Sequence, residues 1–315
     1  LADDIDDRSV GFRGARHDRS IPRGAIGYTF PMLDPVEVQV IIVLGLLSLF
    51  AVIEFVRGGF FPREADREDN KLDLAVLVMF PIVSGGVGLA AAALCNEFIP
   101  EYRGLLADWP WWAMIGTLLI ADDLTQYLWH RLSHTSVMWP LHRAHHSASY
   151  MSVRIVYRNN ALYYALMPGL WLSGLLVFLG FGWVYIGYIF VKLSVIIGAH
   201  CNWRWDEALY RIPALRPLMW LVERTISTPA THHAHHALSE SDGVGHYSGN
   251  FGNLLFLWDV LFGTAVITRK FPPAYGLSDD RSYGHEMWYV QLLYPFLRSK
   301  RQASALAIPP GRPPQ

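Results

Sequence analysis

Charge is scarce in this 315-residue chain: Asp, Glu, Lys and Arg make up 17% of it, against about 25% in an ordinary soluble domain. With 52% hydrophobic residues and a mean hydropathy of +0.22, that shortage points to a membrane protein before any motif is read. The formal net charge is −1, so there is no basic field and nucleic acid is not an expected partner. Cysteine is almost absent. Cys95 ends an apolar run and Cys201 follows a His elsewhere, which excludes a disulfide framework and a C-x-x-C metal site. No Gly-rich dinucleotide fingerprint follows a strand-like segment, and no H-E-x-x-H occurs. The first thirty residues mix Asp with Arg and contain no apolar core, so they do not read as a cleaved signal peptide.

What is present is apolar length. A spanning helix needs roughly 20 mostly apolar residues. Residues 38–55 and 74–95 qualify, the latter with Pro81 and Ser84-Gly85-Gly86 as kink sites. Residues 111–129 form a third candidate, opened by Trp109, Trp111 and Trp112 as interfacial anchors, with Asp122 and Asp123 in its second half. The stretch 161–199 is too long for one crossing and reads as a helical hairpin turning at Gly180 and Gly182. The expectation is an all-α integral membrane protein with four or five transmembrane helices. It would comprise a polar, partly disordered tail (1–36), one membrane-embedded domain (37–302) and a Pro-rich disordered tail (303–315). Basic residues fall on one side of these crossings: Arg57, Arg63, Arg67 and Lys71 after the first span, and Arg131, Arg143, Arg154, Arg158, Arg204, Arg211, Arg216 and Arg224 later. That side is expected to be cytoplasmic. The N-terminal tail breaks the pattern, because it would lie outside while carrying five Arg.

Histidine is abundant and clustered. Nine of the thirteen fall in three short runs: His130-Arg-Leu-Ser-His134, His142-Arg-Ala-His145-His146 and His232-His233-Ala-His235-His236. Spacings of three and four residues place side chains on one helix face. His130 and His134 would point together, His142, His145 and His146 would form one three-imidazole face, and His232, His235 and His236 another. Imidazole suits iron, zinc, copper and nickel, and this many His exceed the needs of one ion, so two metal ions are expected. His233 faces about 100° away from His232 and is not expected to be a ligand. It is assigned to substrate, electron-donor or structural contact. Asp123 lies two turns before His130 on the same face, placed to orient a ligand or hold a buried Arg. His17, His246 and His285 stand outside the clusters and read as ordinary histidines.

The three runs resemble the H-x-x-x-H, H-x-x-H-H and H-x-x-H-H boxes of the fatty acid hydroxylase and sterol desaturase superfamily. The likeness extends to Asp123-Leu-Thr-Gln-Tyr127-Leu-Trp-His130-Arg131, to Thr228-Pro229 before the last box, and to Asn250-Phe-Gly252 and Trp258-Asp259-Val-Leu-Phe262-Gly263-Thr264 after it. It covers about residues 115–265. His233 stands where relatives often have Arg. The resemblance implies a ninth ligand at His200, followed by Asn202, so the expected metal set is His130, His134, His142, His145, His146, His200, His232, His235 and His236. Asp123, Tyr127, Asn202, Asn250 and Asp259 would support it.

The resemblance further implies a diiron site in a cytoplasmic His-rich helical cap, O2 as co-substrate, and hydroxylation of a C–H bond in a sterol or hopanoid, a membrane-lipid acyl chain or a carotenoid. Desaturation and ether-lipid oxygenation are alternatives on the same scaffold. Electrons would come from an external ferredoxin, b-type cytochrome or NAD(P)H reductase, with Arg298, Lys300 and Arg301 as candidate docking charges. A bacterial inner-membrane location is expected by analogy. A metal transporter would need ligands through the depth of the bilayer, and a zinc hydrolase would favour H-E-x-x-H; neither pattern is present.

Overall fold

The computed structural model describes residues 35–301 and 304–307. The expected N-terminal tail lies outside them, apart from the backbone of Pro35 and Val36. The architecture is all-helical: no strand occurs among the described residues, and one antiparallel bridge joins Ala237 to Tyr275.

Two long helices come first, α1 (Pro35–Val56) and α2 (Arg67–Phe98). A capping box starts α2: the Asp66 carboxylate accepts the Asp69 amide at 2.8 Å while Asp69 accepts that of Asp66. Next, α3 (Trp111–Leu118) runs through a π-turn at residues 119–124 into α4 (Thr125–Ser133), making one rod that ends at the first His box. The second box ends α5 (Trp139–His146). The apolar hairpin consists of α6 (Ala161–Ala165), α7 (Pro168–Leu176) and α8 (Gly182–His200). Short helices follow: α9 (Trp205–Tyr210), α10 (Arg216–Thr225), α11 (Pro229–His235), α12 (Leu257–Phe262), α13 (Ser278–Tyr283) and α14 (Trp288–Leu293).

Gly180 makes the hairpin turn, with φ at 119°. A Cβ there would sit 2.7 Å from the Ala107 nitrogen, so both the left-handed backbone and the close approach require glycine. The tip is tied to the loop before α3, because Gly104 and Leu106 donate to the Phe178 and Leu179 carbonyls. All the His boxes lie at the opposite ends of these helices. There Glu54, near the end of α1, accepts from Ser152, Val153 and Asn202.

Leu, Val, Ile and Phe side chains along α1 and α2, such as Leu44, Val52, Phe55, Leu77, Ile82 and Leu89, are exposed on the outer surface, as lipid-facing residues are. Three segments among the described residues are long and apolar enough to cross a membrane: Glu37–Val56, Arg67–Phe98 and Ala161–His200. The expected count was four or five. The difference lies in the hairpin, which is one apolar segment broken at Gly180, and in residues 111–129, where Asp122 and Asp123 dilute the apolar run. Asp122 is neutralised inside the protein, 2.5 Å from the Lys192 ammonium of α8.

Arg143, Arg154 and Arg158 were counted as loop charges in the sequence, yet they are built into the body. Arg143 pairs with Asp279 and Asp280, Arg154 with Asp73, and Arg158 with Asp69 and Asp73. A buried guanidinium needs such partners, because leaving it unpaired would cost several kcal/mol. Of the expected C-terminal tail, residues 304–307 are described; Ser304 and Leu306 are fully buried, and Leu306 packs with Leu141 and Tyr163.

Candidate metal centre

Three helix ends and one helix C-terminus bring nine imidazoles together. His130 and His134 come from the end of α4, His142, His145 and His146 from α5, His200 from the last residue of α8, and His232, His235 and His236 from the end of α11. Their ring nitrogens sort into two groups, each with all candidate ligand atoms within 4.8 Å of one another: His130, His134, His142, His146 and His235 in one, and His145, His200, His232 and His236 in the other. These are all nine of the expected residues and no others.

The sorting departs from the expected three-imidazole faces. Within α5, His142 and His146 join the five-membered group while His145 joins the four-membered one. Within α11, His232 and His236 join the four-membered group and His235 the five-membered one. Helix geometry explains the split. From the first His of each box, a residue three on is rotated about 60° one way and a residue four on about 40° the other, so the last two His diverge by about 100°. The second and third boxes thereby serve both groups, whereas both His of the first box join the five-membered one. The groups are adjacent, with His146 and His236 stacked at 4.4 Å between ring centroids.

Hydrogen bonds determine which nitrogen faces inward. His130 Nδ1 lies 2.7 Å from the Phe251 carbonyl, His235 Nδ1 2.7 Å from the Gly249 carbonyl and His200 Nδ1 2.7 Å from the Ile196 carbonyl. A carbonyl only accepts, so each Nδ1 carries the proton and each neutral ring presents a bare Nε2. His142 Nδ1 does the same toward Asn159 Oδ1 at 2.8 Å. Two such bare atoms, His130 Nε2 and His235 Nε2, face each other at 3.0 Å. No proton remains to bridge them, and lone pair against lone pair repels. His232 Nε2 lies 2.8 Å from His200 Nε2, and His145 Nε2 lies 3.3 Å from it.

A cation resolves this arrangement. Nitrogens about 2.1 Å from one ion stand roughly 3.0–3.4 Å apart at octahedral or tetrahedral angles, which is the spacing found here. Buried His134 Nε2 has no hydrogen-bond partner at all. Burial also holds His134, His142, His145, His146, His232, His235 and His236 well below the usual histidine pKa, in the neutral form that ligates. The residues present therefore fit two metal ions with nitrogen ligands.

His233 is placed differently. Its Nε2 donates to the Cys201 carbonyl at 3.1 Å, and its Nδ1 accepts from the Tyr275 hydroxyl at 3.0 Å, so neither nitrogen is free. Burial pushes it down to about 3.

The supporting residues act through the backbone. Asp123 touches neither a His nor an Arg; it accepts from the amides of Leu254 and Leu255 and from the Trp258 indole at 2.8 Å. Asp259 accepts the amides of Phe251 and Gly252 at 2.8 and 2.6 Å and the Thr264 hydroxyl at 2.6 Å, and Tyr127 bonds Thr264 in turn at 2.9 Å. Asn250, at φ 56°, donates to the carbonyls of Thr231 and Val266. Asp123, Asp259 and Asn250, with Tyr127 acting through Thr264, clamp the segment whose carbonyls at 249 and 251 hold His235 and His130. Gly252 has no room for a side chain, since a Cβ would lie 2.7 Å from the Leu255 carbonyl. Asn202 stands apart: its backbone amide donates to Glu54 at 2.7 Å.

Asn159 and Glu54 were missed in the sequence. Asn159 lies thirteen residues past the second box with no motif around it, and Glu54 is one carboxylate at the end of an apolar run. The docking charges expected near the C-terminus are reduced as well. Arg301 is engaged by Asp279, Asp280 and Glu286, which leaves Arg298 and Lys300 exposed.

Comparison with known proteins agrees with this geometry. A family model described as fatty acid hydroxylase matches residues 115–264. Alkylglycerol monooxygenase of Danio rerio is 27% identical over 205 residues, covering 60% of this chain and 37% of that protein. The enzyme of the same name from Xenopus tropicalis is 25% identical over 181 residues, covering 55% of this chain and 34% of its own length. The chain thus spans little more than a third of these relatives. No solved structure matches it. The matched segment, a little under half of the chain, holds all three His boxes, His200 and the clamped loop, and over it the chain is similar to the fatty acid hydroxylase family.

Proposed function

We propose that this protein is a membrane-bound, O2-dependent diiron oxygenase that hydroxylates a C–H bond of a membrane lipid. The observation that carries the reading is the pair of bare Nε2 atoms of His130 and His235 facing each other at 3.0 Å, within two adjacent imidazole groups. His130, His134, His142, His146 and His235 would hold one iron, and His145, His200, His232 and His236 the other. Bound there, iron supplies the O2-reducing chemistry that imidazole and carboxylate side chains cannot. The chain's own part is to fix the ligands through the 249–252 segment, to neutralise them by burial, and to exclude bulk water. Atoms balance when two electrons and two protons arrive with O2, one oxygen leaving as water. An external carrier, a ferredoxin, b-type cytochrome or NAD(P)H reductase, would deliver the electrons. Exposed Arg131, Arg204, Arg211 and Arg216 at the His end support a cytoplasmic active site, in a bacterial inner membrane by analogy.

The name of the relatives favours an ether lipid within this reading. Hydroxylation of the carbon beside an ether oxygen would give a hemiacetal, which breaks to an aldehyde and an alcohol.

The test is the metal content of detergent-purified protein from iron-supplemented cells, with Mössbauer spectroscopy, followed by lipid product analysis under 18O2. About two irons per chain and a labelled lipid product are expected. Stoichiometric zinc that persists, without an O2-dependent product, would overturn the reading. An aldehyde product identifies the ether substrate, and a hydroxylated chain the acyl one.

A further inference from the structure

A recess of about 440 Å³ opens beside the His end, lined by Arg57, Asn202, Trp203, Arg204, Glu207 and Arg211 with Ala208. Three guanidiniums face it against one carboxylate. Glu207 is already satisfied by Arg211 at 2.6 Å. Arg57 and Arg204 have no carboxylate partner among the described residues. Instead they lean on aromatic rings: Arg57 lies 6.0 Å from the Trp203 ring centroid, and Arg204 4.3 Å from that of Phe271. A guanidinium attracted to a ring in this way keeps N–H donors available for an oxyanion.

Location narrows the anion. Arg57 directly follows the candidate span Glu37–Val56, and its neighbours Phe55 and Val56 are exposed apolar residues. A cation one residue past a lipid-facing helix lies at headgroup depth, where phosphate is the prevalent oxyanion. We infer that this recess is a binding site for the phosphate group of a membrane phospholipid, with Arg57 and Arg204 as its two phosphate ligands. A chain of hydrogen bonds runs from it toward the four-His group: Arg204 donates to the Tyr275 hydroxyl at 3.5 Å, Tyr275 bonds His233, and His233 donates to the Cys201 carbonyl next to His200. The inference stands apart from the oxygenase reading, because phosphate binding needs neither metal nor turnover.

Native mass spectrometry of the full chain, with an equimolar mixture of dioleoylphosphatidylglycerol and dioleoylglycerol, tests it. Preferential retention of one phosphatidylglycerol per chain is expected. The double variant Arg57→Ala/Arg204→Ala should lower that preference about tenfold, as loss of charge-assisted bonds does, with metal content unchanged. Arg57→Lys/Arg204→Lys should restore part of it, which separates lost charge from misfolding. Equal retention of both lipids, or a preference untouched by the double Ala variant, overturns the site. Displacement of the lipid by millimolar glycerol 3-phosphate would assign it to a soluble phosphate ester. Salt-sensitive binding of a soluble [2Fe–2S] ferredoxin, lost in the double Ala variant while lipid preference persists, would make it a donor-docking surface. Either result overturns the lipid assignment.

Discussion

The two imidazole groups lie side by side, but they are held in different ways. In the five-His group, His130 and His235 are oriented by carbonyls of the segment 249–251, far downstream in the chain, and His142 by the Asn159 side chain. In the four-His group, His200 is oriented by Ile196 of its own helix, and His145 Nδ1 has no partner. One group depends on a loop clamped by Asp259, Asp123 and Asn250, and the other on where helices α5, α8 and α11 end. Conserving a tertiary loop and positioning a helix terminus are separate tasks, so damage to each should be separable.

The largest effect is expected from His235→Ala and His145→Ala. Each removes a nitrogen from a different group, so each should abolish measurable product formation and lower iron from about two per chain toward one. Elemental analysis with Mössbauer spectra should show different residual sites in the two variants. Identical spectra would mean that the groups do not bind metal separately.

Asp259→Ala should come next. It strips partners from the Phe251 and Gly252 amides, which are buried, at a cost of about 1–3 kcal/mol each before relaxation. Metal affinity of the five-His group should fall roughly 10- to 100-fold, as loss of an orienting contact does, with the four-His group nearly unchanged. Chelator titration followed by Mössbauer spectroscopy measures this, and equal loss from both groups would break the contrast drawn here.

His233→Ala is expected to keep both irons, because neither ring nitrogen points into a group. It should destabilise the fold by about 1–3 kcal/mol through the Cys201 carbonyl and Tyr275 hydroxyl left unpaired. Thermal melting and elemental analysis together check it, and loss of metal would make His233 a ligand.

The smallest effect concerns pH. His285 lies 3.3 Å from Asp69, and the hydrogen bond to that carboxylate raises its pKa above the ordinary value. A raised histidine stabilises the fold fully below the unfolded pKa of about 6.5 and loses that contribution as pH climbs through the folded value. The melting midpoint should therefore fall on going from pH 6 to pH 9, and fall less in His285→Gln. Parallel curves for the two proteins would remove the Asp69–His285 pair from the account.

Much of the site was legible because ligation needs side chains. The nine His that converge were picked out by their spacing and, for His200, by the family resemblance, whereas the i, i+3, i+4 pattern was read as one face per box and the structure divides two of those faces. Asp123, Tyr127, Asn250 and Asp259 were recognisable as supporting residues, but their work was not. They were expected near the ligands; Asp259 and Asn250 bind the backbone around the ligands' acceptors, Asp123 the backbone just after it, and Tyr127 the Thr264 hydroxyl. Asp123 was expected to orient a His or hold an Arg, and the buried cation in that region turned out to be Lys192, held by Asp122. Asn159 and Glu54 carry no local pattern, because each acts on a partner distant in the chain.

The sequence by itself determined the inventory: apolar segments that suit a bilayer, a glycine where the hairpin turns, and three His boxes from which two ions were expected. Only the tertiary structure decided how the nine imidazoles are shared, five with four, and which nitrogen of each faces inward. The reason is physical. Helical spacing sets angles within one box, whereas the partition also depends on how four separate helix ends converge, and the tautomers of His130, His200 and His235 are held by main-chain carbonyls that every residue possesses and no sequence motif spells out.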